Sequence, residues 1–238
     1  SDLGAVRFND EANTTYGGAY IDHCTFENCG DIWLYRVDKD TDLTIQYTDF
    51  RDCGSTYGPY LRHQGGGTGT FSVTHSTFQG TTSGKPVTWY PYSGGKFEYC
   101  VFKNINMQKY DANGSFEHCM FFTGVVTNLL GTLYGGETID SNFFYNDNDN
   151  NRVAGFEPGG QKTTISNNIL DLSYADGYSD HGNPFILSNT PVDFTRNLFL
   201  DRKGGALVSV VSSARSQTYN IIGNSIVCAD PATGAVGL

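Results

Sequence analysis

Charge is scarce in this chain, and positive charge most of all. Only 17% of its 238 residues are Asp, Glu, Lys or Arg, and 15 basic residues stand against 25 acidic ones, a net charge of −10. About a quarter is usual. Lys and Arg form no cluster, which excludes phosphate neutralisation along a nucleic acid and attraction to an anionic membrane. No apolar run reaches the roughly 18 residues of a membrane-spanning helix, so no membrane insertion is expected. The Ala, Glu, Lys and Leu excess of a coiled coil is missing. No Cys-x-x-Cys pair occurs among the six Cys, which removes the usual zinc spacing.

What the chain has instead is Gly (29 residues), aromatics (14%) and a repeat. The aromatic and β-branched content is enough to bury a core. One six-residue frame recurs nine times: apolar, two variable, small polar or Cys, variable, apolar. The copies are Ile21–Phe26, Ile45–Phe50, Val73–Phe78, Phe97–Phe102, Phe116–Phe121, Ile139–Phe144, Ile165–Leu170, Phe194–Phe199 and Ile221–Ile226. Their last positions are spaced by 24, 28, 24, 19, 23, 26, 29 and 27 residues, a period that suits a solenoid with loops of unequal length.

The frame carries its own geometry. Strand side chains alternate faces. If Ile21, Cys24 and Phe26 all point inward, Asp22 and His23 both point outward, and two successive outward residues mean a corner between two short strands. A further apolar run comes after the frame in most repeats: 32–35, 87–90, 105–108, 184–187 and 206–209. The fold class read from this is all-β, a parallel β-helix of about nine coils with three short strands per coil. The corner column reads Cys24, Thr48, Ser76, Cys100, Cys119, Asn142, Asn168, Asn197 and Asn224, and Asn side chains stacked there can bond up and down the column. Residues 1–238 are expected to form a single domain. The incomplete coil motifs at Val6-Arg7-Phe8 and Gly234–Leu238 suggest a segment of a longer protein or a stacking subunit, because open solenoid ends invite pairing.

Over about residues 17–228 the chain resembles the right-handed parallel β-helix proteins of the pectin-lyase-like superfamily, which implies that its coils are right-handed. Its Asn column and its Gly17-Gly18-Ala19 and Gly204-Gly205-Ala206 entries are also similar to surface adhesins and autotransporters. The resemblance implies an extracellular or cell-surface location and a glycan or partner subunit as ligand. In lyases of this kind an Arg or Lys is the base and carboxylates often hold Ca²⁺; hydrolases of this kind use paired Asp residues. The chain has no Gly-x-Asp-Asp or Gly-His-Gly triplet; Ser179-Asp180-His181-Gly182 reads as a loop.

The candidate site residues lie mostly on the third strand. Its outward positions give two columns, Trp33–Tyr60–Thr88–Asn106 and Tyr35–Arg62–Tyr90–Gln108. Trp33, Tyr35, Tyr60, Arg62, Tyr90 and Gln108 are the carbohydrate-binding set, since aromatic faces flanked by amide and guanidinium donors suit sugar rings. If the chain is a lyase instead, acting on an acidic polysaccharide, Arg62 or Lys109 is the base with Tyr90 nearby. Val101, Met120, Phe143, Ile169 and Leu198 form an outward apolar stripe, the expected interface with a neighbouring domain or subunit. His23, His75 and His118 alternate with Tyr47 and Tyr99 at one corner, two coils apart and too far for a shared metal; they read as a solvated edge. No cofactor is expected, with Asp147 and Asp149 in a polar loop as the calcium candidates. Cys29 with Cys53, and Cys100 with Cys119, sit on adjacent coils, either as buried thiols or as bridges.

Overall fold

The computed structural model describes residues 19–29, 42–53, 60–61, 70–80, 86–89, 95–109, 114–122, 132–133, 135–145, 154–156, 161–171, 185–187, 191–201, 208–210 and 218–228, of which 19, 60–61, 86–89, 106–109, 132–133, 154–156, 185–187, 201, 208–210 and 228 are described by backbone alone. These residues form an all-β parallel solenoid with no helix among them. The first half of each frame is a strand of the first wall, from Ala19–Asp22 to Tyr219–Ile222, and the second half a strand of the second wall, from Thr25–Glu27 to Ser225–Cys228. Both walls are nine-stranded, each strand pairing with that of the next frame.

The third wall is less continuous. Tyr60–Leu61, Pro86–Trp89 and Asn106–Lys109 form a sheet of three. Thr132–Leu133, Ala154–Phe156, Phe185–Leu187 and Val208–Val210 form a sheet of four. Among the described residues the longest unbroken three-walled stack is therefore four turns, shorter than the nine like coils expected from the repeat. Loop length varies most around this wall, so its register is the least fixed by sequence.

Register in the first two walls obeys the frame. Ile21, Ile45, Val73, Phe97 and Phe116 are successive partners, as are Phe26, Phe50, Phe78, Phe102, Phe121 and Phe144. The second set stacks ring on ring with centroids 4.8–5.2 Å apart. Parallel strands one hydrogen bond apart impose that spacing, which is also a favourable ring separation.

The corner between the walls is a single left-handed residue. His23, Tyr47, His75, Tyr99, His118, Ser141, Asn167, Arg196 and Gly223 have φ between 48° and 67°. Eight of these nine are not Gly, and the conformation costs each about 1 kcal/mol. The stack holds them there. Each corner N–H from His23 to Arg196 donates to a carbonyl one rung on, as Tyr47 does to Thr74 at 3.2 Å and Ser141 to Ser166 at 3.0 Å.

Just inside the corner runs the Asn ladder. Asn142 Nδ2 donates to Phe116 O on one side (2.8 Å) and to Asn168 Oδ1 on the other (3.0 Å), while Asn142 N also donates to Asn168 Oδ1 at 2.9 Å. Asn168 and Asn197 repeat the pattern. All three are at most 2% exposed, so these bonds satisfy backbone groups that water cannot reach. Cys119 N takes its place in the ladder by donating to Asn142 Oδ1. Further back in the column Cys100 and Cys119 are buried free thiols, as is Cys53, and Cys29 is a partly buried one. Burial pushes the Cys53 thiol up to about 11, and pushes Cys119 up as well, which keeps both protonated and poorly nucleophilic.

Candidate functional site

Two outer surfaces meet at the corner. On the second wall, Val101, Met120, Phe143, Ile169 and Leu198 are successive register partners, each between a buried Cys or Asn of the corner column and a buried Phe or Leu, so they face outward as the alternation requires. Met120 is 48% and Ile169 41% exposed. Beside them runs a second outward column, Lys103, Phe122, Tyr145, Asp171 and Leu200. Phe122 packs edge-on against Phe143 at 6.1 Å. The same columns are polar in the preceding rungs: Thr25, Asp49 and Thr77 precede Val101, and Asp49 pairs with Arg51 at 3.0 Å. In the first column the apolar character thus begins at one rung and persists for five.

The other surface is the corner itself. The sequence suggested a solvated edge of alternating His and Tyr; the structure makes it a ladder of five stacked rings. His23, Tyr47, His75, Tyr99 and His118 lie 4.9–5.0 Å apart, with interplanar angles of 22–26°. All five are exposed. The imidazoles are two rungs apart, as expected, so no two share a metal. The sequence signal for the stack was present, since equal placement on adjacent coils implies contact. What could not be read was that the left-handed corner aims the side chains along the surface so that their planes overlap.

Acidic residues line the first-wall side of the ladder. His23 Nδ1 lies 2.6 Å from Asp22 Oδ1. Glu98, Glu117 and His118 bring one donor atom each within 4.8 Å of one another, a grouping missed by considering His residues alone. Lys96 already lies between the two carboxylates, 3.2 Å from Glu98 and 3.4 Å from Glu117, and supplies the positive charge there. One rung on, the Asp140 carboxylate accepts from Ser166 and Asn167 at Oδ1 and from Ser141 at Oδ2. Burial raises its pKa, but these bonds, with the nearby His118 charge, outweigh that and hold it below the usual carboxylate value.

Of the expected carbohydrate-binding set, Tyr60 and Gln108 lie on described strands, and Trp33, Tyr35, Arg62 and Tyr90 lie outside the described residues. Register corrects the expected columns: Tyr60 and Gln108 both pair with Thr88, whereas Asn106 pairs with Pro86. Gln108 therefore belongs with Tyr60 and Thr88, two residues from its expected place. The error came from assigning each strand's phase by its own apolar run, when loop length sets where a third-wall strand begins. Of the lyase candidates, Lys109 is on the third wall, partnered with Trp89; Arg62 and Tyr90 are not described. The calcium candidates Asp147 and Asp149, and the loop 179–182, also lie outside the described residues. Compared with known proteins, the chain matches no family model and no curated protein.

Proposed function

We propose that this chain is a binding module of the extracellular or cell-surface β-solenoid type, and that its second wall docks another copy of itself. The observation that carries this is the outward apolar column Val101–Met120–Phe143–Ile169–Leu198, five rungs long and without a charge. Free soluble domains seldom expose so continuous an apolar strip. A copy of the same face fits it, because both are combs with the same rung spacing. Charge fixes the direction. Lys103 and Asp171 are the two charged members of the neighbouring column and sit three rungs apart. A two-fold antiparallel arrangement, centred between the Phe122 and Tyr145 rungs, sets each Lys103 opposite an Asp171 of the other copy.

The test is sedimentation over a concentration series. Wild type is expected to dimerise and Phe143→Asp to remain monomeric with an unchanged circular dichroism spectrum. Asp171→Lys should weaken the dimer, and adding Lys103→Asp should restore it. A wild type that stays monomeric at every concentration ends this reading, and a dimer insensitive to Phe143→Asp places the contact elsewhere.

A second reading is a glycan-binding face, or a polysaccharide lyase active site, on the third wall. The Tyr60–Thr88–Gln108 column supports it. Incubation with uronate polymers checks the lyase: unsaturated, ultraviolet-absorbing products support it, and their absence across the panel rejects it.

A further inference from the structure

The ring ladder stops at His118, and the corner changes character one rung later. The next corner residue is Ser141, whose φ of 57° lies between 55° at His118 and 58° at Asn167. A ring at 141 would therefore continue the stack. Serine offers none, so among the described residues no ring lies against the far face of the exposed His118 imidazole. Polar groups surround that step. Ser141 donates its hydroxyl proton to Asp140 Oδ2 at 2.9 Å and keeps its own lone pairs. A carboxylate has about four acceptor positions; three bonds to Asp140 are accounted for, and Oδ2 carries one of them. Asn167 donates to Asp140 and accepts from Arg196 Nε at 2.8 Å. Arg196 has further N–H donors beyond that bond.

We infer that the step beyond His118 is a subsite for one neutral pyranose ring, which takes the place of a sixth ring in the ladder. The sugar's apolar face lies on the imidazole, and its hydroxyls exchange hydrogen bonds with Asp140, Ser141 and the Asn167–Arg196 pair. Within the ladder, ring faces are consumed by neighbouring rings and only edges are exposed, so the terminus is where a sugar face can stack. The charge chooses the sugar class. Asp140 at the step itself, with Glu117 and Glu98 on the adjoining rungs, outnumber the cations Lys96 and Arg196 three to two, and on a chain of net charge −10 this disfavours a uronate. This subsite lies on the corner, apart from the second-wall stripe, and stands or falls independently of dimerisation.

The test tracks the His118 imidazole C–H resonances by NMR during titration with cellotetraose, mannotetraose and tetragalacturonate. One of the neutral sugars should shift His118 saturably at millimolar concentration, more than His23 or His75, with the uronate at least about tenfold weaker. Ser141→Tyr should fill the position with a protein ring, as Tyr47 and Tyr99 do at the same corner, and abolish the shift while the fold is kept. His118→Ser, which places at 118 the residue already tolerated at 141, should abolish binding measured by calorimetry. The inference is overturned if neither neutral sugar perturbs His118 selectively, if Ser141→Tyr binds as well as wild type, or if tetragalacturonate binds as tightly as the neutral sugars.

Discussion

Asp140 shows how one side chain serves both the stack and the surface. Its carboxylate gathers donors from two rungs, Ser141 on its own and Ser166 and Asn167 on the next. Because its folded pKa is lowered, its stabilising contribution is present above the unfolded value near 3.9 and is lost as pH falls through the folded one. Thermal unfolding across a pH series should therefore show wild type above Asp140→Asn near neutrality, with the gap closing in acid below about pH 4. A gap constant down to about pH 2 would mean that the charge is not what stabilises. Glu137 is a related case that the repeat gave no hint of. It is 1% exposed inside the first wall and accepts from Gly135 N and Thr163 Oγ1. A buried carboxylate is tolerable when donors surround it. The nearby Gly135-Gly136 turn, with φ 103° and 83°, brings one of those donors in.

Along the ladders, equal placement becomes energy. The Asn168 side chain makes or receives four bonds: to Ile139 O and Asn197 Oδ1, and from Asn142 N and Nδ2. Asn168→Ala leaves a buried N–H and a buried carbonyl without these partners, and should cost about 3 kcal/mol in urea unfolding. Asn168→Ser should cost less, because a hydroxyl serves as acceptor in the same column where Thr48 N donates to Ser76 Oγ at 3.2 Å. Equal losses for the two variants would show that volume, not hydrogen bonding, dominates. The ring column and the Asn column differ in what they tolerate. Phe144 gives way to Leu170 with little change of packing, whereas each Asn depends on the residue above and below.

As a molecule, the chain is nearly one-dimensional: each rung touches its neighbours, and stability is close to a sum of such steps. Asn142 and Asn168 are equivalent positions 26 residues apart. Removing 143–168 joins Asn142 to Ile169 with the frame intact, and should leave a folded solenoid one rung shorter, with a β-type circular dichroism spectrum and a cooperative melt. A protein with one globular core would collapse under the same deletion, and loss of cooperative unfolding would reject the one-dimensional description. The same excision shortens the apolar stripe by Phe143.

The repeat was legible because a stacked fold places like residues over like, and nine copies of one frame leave little room for another architecture. The walls, the inward Phe and Asn columns and the outward stripe come from strand alternation alone. The third wall does not, because its strands begin wherever the preceding loop ends, and Gln108 moved two places for that reason. Nor could the frame tell that a left-handed corner would lay His and Tyr rings flat on one another. Side-chain order is written along the chain; the overlap of ring planes and the gathering of donors around Asp140 arise only when separate rungs are brought to within one hydrogen bond of each other.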